Sequence, residues 1–204
     1  MAGRKEGSMI KGFIVGFFVG LAAIAAGVYF YFATGKAPVA TSDPAIPFEH
    51  KLAHIGLHAY LDRKPHLEPQ VPVNEQTYLA GAQIYKEHCA VCHGLPGGER
   101  TAIAAGMAPK PPQLFQGVGV TDDEAWETYW KVEGGIRMTG MPGFHGRLSN
   151  AQIWQVTMLV KNADQLPSSA RTALTTPSAA AAATAGPGSS KPEAPKSQQP
   201  AAKR

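Results

Sequence analysis

A chain of 204 residues can hold one domain of ordinary size with residues to spare. Its formal charge of +4 is unevenly placed, with +2 over residues 1–35, 0 over 36–69, −2 over 70–166 and +4 over 167–204. The basic balance therefore belongs to the two ends. The middle offers no basic face to nucleic acid, and none is expected as a partner.

From Gly12 to Ala33 the chain runs 22 residues without a charge. As a helix that run spans roughly 33 Å, enough for the hydrocarbon core of a bilayer. Arg4, Lys5 and Lys11 precede it and only Lys36 follows closely. The positive-inside rule therefore keeps residues 1–11 in the cytoplasm and puts everything after the 12–33 transmembrane helix outside. Tyr29, Phe30, Tyr31 and Phe32 form an aromatic band at the outer interface. The competing reading is a cleaved signal peptide with a small-residue site at Ala23-Ile24-Ala25. That cut would leave the greasy Val28 to Phe32 stretch at a new N-terminus, so an uncut anchor is expected. Gly12, Gly16 and Gly20, continued one step round by Ala23 and Gly27, would let a second helix pack closely.

Residues 34–73 form a connector broken by Pro38, Pro44, Pro47, Pro65, Pro69 and Pro72. Within it, Phe48 to Arg63 carries Phe48, Leu52, Ile55, Ala59 and Tyr60 at helical spacing. His54 and His58 lie one turn apart, with His50 and His66 near in sequence, and histidines at i and i+4 can share a metal ion. No carboxylate or cysteine completes a ligand set there, so the reading adopted is an interfacial or docking helix with solvated histidines.

Asn74 has the side chain of an N-cap and Glu75 suits the first turn. Leu79, Ala82, Tyr85 and Lys86 carry a helix forward to Cys89. Gly81, Tyr85 and Cys89 share one face, where the glycine allows another helix to cross. The helix delivers Cys89-Ala90-Val91-Cys92-His93. Two thiols at this spacing can each add across a vinyl group of haem, and the adjoining imidazole can reach the iron. A zinc site would need more soft ligands, yet Cys89 and Cys92 are the only cysteines. A thioredoxin-like pair would not call for His93.

A further helix is predicted over Thr121 to Glu133, with Thr121 as N-cap, Asp122, Asp123 and Glu124 at the positive end of its dipole, and Gly134-Gly135 as its stop. Trp126, Tyr129 and Trp130 on it are expected to pack at the haem edge. The segment Gly135 to Phe144 offers the distal ligand. Glycines flank Met141-Pro142 and supply turn and stiffness, so Met141 is preferred over Met138 and Met107, with His145 as the alternative. A last helix, the second of the crossing at Gly81, begins at Leu148-Ser149-Asn150, shows Ile153, Val156, Leu159 and Val160 on its apolar face, and is closed by Pro167.

As a set, these residues resemble the class I cytochromes c, more narrowly the single-haem domains in subunits of cbb3-type oxidases and of membrane-bound dehydrogenases. The resemblance covers residues 74–166. Gly81, Tyr85 and the Cys89 to His93 box are similar to that family's first helix and haem site, and Gly140-Met141-Pro142 to its sixth-ligand loop. Pro112-Gln113-Leu114 is similar to the stretch whose proline carbonyl, here that of Pro112, accepts the Nδ1 proton of the axial histidine. Leu159 stands where the family usually has an aromatic residue. The resemblance implies an all-α class I cytochrome c fold around one covalent haem c, iron ligands His93 and Met141, and the passing of single electrons.

Residues 167–204 have few large apolar groups and an alanine run, and read as a flexible basic tail. The expectation is therefore a single-pass protein of the bacterial inner membrane with its haem domain on the periplasmic side. Its partners would be redox proteins and the subunits of a respiratory or dehydrogenase complex, and no residue would do bond-making chemistry. The alternative is a haem enzyme or gas sensor with a labile distal ligand.

Overall fold

Asn74 accepts a hydrogen bond from the Thr77 amide at 2.9 Å, so α3 (Glu75–His88) starts where its cap requires. The structure, a computed structural model, describes residues 3–116 and 122–176. Every regular element among the described residues is a helix: α1 (Gly3–Ala33), α2 (Glu49–Leu61), α3, α4 (Ala90–His93), α5 (Ala102–Ala105), α6 (Ala125–Gly134), α7 (Asn150–Lys161) and α8 (Ser168–Thr175). The all-α expectation holds.

The central packing event is the crossing of α3 and α7. A Cβ added to Gly81 would lie 2.4 Å from the Gln155 carbonyl oxygen and 3.1 Å from the Leu159 Cβ, so only glycine lets the two backbones meet there. Leu159 is fully buried at this contact, so an aliphatic side chain closes the crossing. Ser149 caps α7 in a reciprocal pair with Gln152. Trp154 then stacks on Tyr129 of α6 with ring centroids 4.5 Å apart, which ties the third helix to the crossing. Gly81→Ala is expected to lower stability by about 1–3 kcal/mol, the usual cost of overpacking, read as a lower midpoint in denaturant. An unchanged midpoint would mean that the crossing relaxes freely.

Several boundaries differ from expectation. Helix α7 ends at Lys161 rather than running to Pro167, because Asn162 turns out of helical geometry. Helix α6 begins at Ala125 with Glu124 at its N-cap, later than predicted, and the proposed cap Thr121 lies outside the described residues. Asp123 is drawn away by Lys131, whose Nζ it accepts at 2.5 Å, and its carbonyl accepts from Lys161 at 2.9 Å.

The third correction is that ordered structure does not stop at residue 166. Helix α8 buries Ala170 and Leu174 completely and packs on α3. Arg171 Nε donates to the Leu166 carbonyl at 2.8 Å, Lys86 Nζ to the Thr176 carbonyl at 3.2 Å, and Ser169 to Glu75. Two small apolar side chains were too sparse a signal in sequence. Fully burying Leu174 is nevertheless worth about 1.5–3 kcal/mol. The remainder of the expected tail, residues 177–204, lies outside the described residues.

Helix α1 starts earlier than residue 12, at Gly3. Its Met9–Ala33 stretch is long and apolar enough to cross a membrane, with none of it buried against the chain. No other part of the described chain comes within 4 Å of a Cβ built on Gly12, Gly16, Gly20 or Gly27.

The connector is not uniform. Leu61 is buried, and Leu67 and Val71 pack against the core. Lys64 Nζ sits over the Trp130 ring at 4.3 Å and over Tyr60 at 4.8 Å. The C-terminal half of the connector is therefore part of the folded domain, which begins before residue 74.

Candidate haem site

Helix α3 passes almost directly into α4. Cys92 and His93 amides bond the Cys89 carbonyl at 3.1 and 2.9 Å, so both thiols and the imidazole ride on one helical turn. Gly94 ends it at φ +74°, and its carbonyl accepts the buried Tyr85 hydroxyl at 2.8 Å. That bond gives Tyr85 a role its spacing alone did not disclose: it fixes the exit of the motif. Burial and then the neighbouring Cys92 push the Cys89 thiol up to about 12. The thiolate, which disulfide exchange uses, is therefore not the favoured form of Cys89.

His93 Nδ1 lies 2.8 Å from the Pro112 carbonyl oxygen. As donor to that carbonyl, Nδ1 holds the proton and Nε2 is left with its lone pair. Burial lowers the His93 pKa, opposed by the Pro112 bond, so the neutral ring is favoured. The Pro111-Pro112 stretch is itself held in place. Arg100 donates to the Pro111 carbonyl, while Gln113 and Gln116 side chains donate to the Gly98 carbonyl at 3.3 and 2.9 Å.

The methionine loop is built on the end of α6. Gly135, at φ +68°, lies so close to the returning strand of the loop that a Cβ would come within 2.4 Å of the Gly143 nitrogen. Ile136 N donates to the Met141 carbonyl at 3.2 Å, and Phe144 N to the Val132 carbonyl at 3.0 Å. Thr139 Oγ1 donates to the Ile136 carbonyl at 2.7 Å and accepts from Met141 N at 3.1 Å. Met141 is thus locked by backbone on both sides.

Cys89, Cys92, His93, Pro112 and Met141 all line one cavity of about 290 Å³. Its remaining walls are mainly apolar, among them Leu114, Val132, Phe144, Val156 and Val160, with Lys110, Thr128 and Lys131 as donors. The other distal candidates separate cleanly. Met138 is 92 % exposed at φ 63°, and His145 faces solvent while pairing with Glu133 at 2.9 Å. Met107 does line the cavity, with its methyl close against Gly140. Nearness of its loop to the attachment site counts against it as a ligand, yet Met107 stands on the cavity wall just past the end of α5.

The tryptophans are a correction. Neither Trp126 nor Trp130 is among the cavity residues. Trp126 stacks on His66 with centroids 4.0 Å apart, and Trp130 Nε1 donates to the Pro65 carbonyl at 3.0 Å. Both face the returning connector, whose docking the helical period of α6 could not reveal. Leu57 of α2, which the sequence did not single out, lines the cavity instead. His50, His54 and His58 stack along α2, and no cluster of three or more metal-ligating side chains occurs among the described residues.

Haem c suits this donor set: two thiols and an imidazole with a free Nε2 on one turn, a thioether from a rigid loop, and apolar walls between them. Residues 76–158 match the family described as cytochrome C oxidase, cbb3-type, subunit III. Cytochrome c6 of Limnospira maxima is 35% identical over 81 residues, which make up 40% of this chain and 86% of that protein.

The chain belongs to the class I c-type cytochromes. A haem-based electron carrier is the function that this membership carries. One chain of the Kuenenia stuttgartiensis reducing HAO-like protein complex is also similar, at 27% identity and a TM-score of 0.40, over 52% of this cytochrome and 54% of that chain.

Proposed function

We propose that this cytochrome is a membrane-tethered single-electron carrier with one haem c and His93/Met141 axial ligation, serving a respiratory or dehydrogenase complex on the periplasmic face of a bacterial inner membrane. The observation that carries the reading is the convergence on one cavity of Cys89, Cys92, a His93 whose Nδ1 is engaged by Pro112, and Met141. When bound, haem c supplies a one-electron iron couple.

The chain's own residues set the conditions. Cys89 and Cys92 anchor the group, and the Pro112 bond orients the His93 ring and makes it a stronger donor. Met141, as a thioether ligand, would favour ferrous iron and would compete with small ligands for it. The apolar walls keep water from the site.

The tether is read from the Met9–Ala33 stretch, whose roughly 37 Å of helix exceeds a bilayer core. A tether holds the domain at high local concentration near any partner in the same membrane. Deleting residues 1–35 is therefore expected to leave the haem spectrum unchanged and to slow turnover of the membrane chain, with the rate restored by excess soluble domain. Full rates from the truncated protein at native concentration would show that anchoring contributes nothing to transfer.

A further inference from the structure

Helix α2 has two apolar sides and only one of them is used by the fold. At about 100° per residue, Leu57 and Leu61 lie on one side, where Leu61 is buried and Leu57 lines the haem cavity. Leu52 and Ile55 lie on the opposite side, 65 % and 56 % exposed, and Phe48, the residue that precedes the helix, is 74 % exposed. Lys51, exposed, falls on one flank of that stripe, and the exposed Arg63 stands just past the end of the helix. Phe48 is also held at φ 67°, a conformation unfavourable for a bulky residue, yet its ring packs against little of the chain. Strain of this kind at an exposed apolar side chain points to a contact outside the chain.

The path from α1 says what that contact is. Residues 35–47 do not run out as an extended tether. Asp43 accepts the Val39 and Ala40 amides at 2.9 and 3.0 Å, Ile46 N donates to Glu49 at 2.8 Å, and Ala45, Ile46 and Pro47 border the same hollow as Tyr31. Helix α2 therefore begins beside the aromatic end of the apolar stretch of α1.

Resting on the membrane-anchored reading above, we propose that α2 lies along the surface of the anionic bilayer, with Phe48, Leu52 and Ile55 in the lipid and Lys51 and Arg63 at the phosphates. An apolar stripe flanked by cations is the pattern of an interfacial helix. The haem cleft, which Leu57 borders from the membrane side, is then held about one helix diameter, roughly 10 Å, over the interface.

The test uses the full chain with its haem attached, in vesicles of phosphatidylethanolamine and phosphatidylglycerol. Cys89 and Cys92 are the only cysteines and are consumed as thioethers, so a nitroxide on one introduced cysteine is unique. Power saturation with oxygen and a water-soluble nickel chelate reads its surroundings. Labels at Leu52→Cys and Ile55→Cys should show an oxygen-to-nickel ratio severalfold above that at Ala53→Cys, and Val19→Cys in α1 reports the anchor. A lipid signal at Val19 with aqueous signals at Leu52 and Ile55 overturns the proposal and leaves the anchor standing. Labels shielded from both reagents overturn it in favour of a second copy of the chain. An aqueous Val19 removes the anchor, and the proposal with it.

Discussion

A Cys89→Ser, Cys92→Ser double variant is expected to carry no covalent haem, read as complete loss of haem stain after denaturing electrophoresis. A hydroxyl does not add across the vinyl groups as a thiol does, and no third cysteine is present to substitute. The consequence reaches the fold. At about 24 cal/mol per Å³, leaving a cavity of about 290 Å³ unfilled corresponds to as much as ~7 kcal/mol. Water entry from the open side makes that an upper figure, but it is comparable with the whole stability of a small domain, about 5–15 kcal/mol. The double variant should therefore accumulate poorly as well as colourless. The single variants Cys89→Ser and Cys92→Ser keep one thioether and serve as folded controls. Haem that stays with the denatured double variant would refute the attachment site.

Replacing Met141 by alanine should abolish the weak sulfur-to-iron band at the red end of the ferric spectrum, lower the reduction potential and open the iron to carbon monoxide. Met138→Ala should leave all three as they are, because Met138 points into solvent. Met107→Ala is the more searching control, since Met107 shares the cavity and its methyl rests against Gly140. If the band survives in Met141→Ala and vanishes in Met107→Ala, the distal ligand is Met107. If native ferrous protein already takes carbon monoxide, the distal position is open and the sensor reading gains. The loop argues for Met141, whose amide and carbonyl are both pinned, by Thr139 and Ile136, whereas the Met107 amide has one long bond, to the Ala104 carbonyl at 3.4 Å.

Much of the site could be read from local sequence because its chemistry is local. Two thiols and an imidazole on one turn, an asparagine three residues before the Thr77 amide it caps, and a methionine between glycines are statements about neighbours along the chain. The glycine at position 81 was legible for the same reason, as a gap on a helix face. Its partner, the last helix, was legible as an element, and the structure supplies the contact with Gln155 and Leu159. Trp126 and Trp130 show the limit. Their spacing on α6 established that they share a side, but a helix can offer that side to haem or to another stretch of chain, and periodicity is blind to which. The returning Lys64 to His66 segment decided it.

The sequence by itself determined the helical class, the haem motif, the capping of α3 and α7 and the apolar length of α1, since each depends on residues within a few turns. Tertiary structure alone decided that α2 reaches the haem cavity through Leu57, that Met107 returns to it, and that α8 closes over α3 with Ala170 and Leu174. Those contacts join residues far apart in the chain. Their free energy comes from burial against surfaces that exist only once the other helices have assembled.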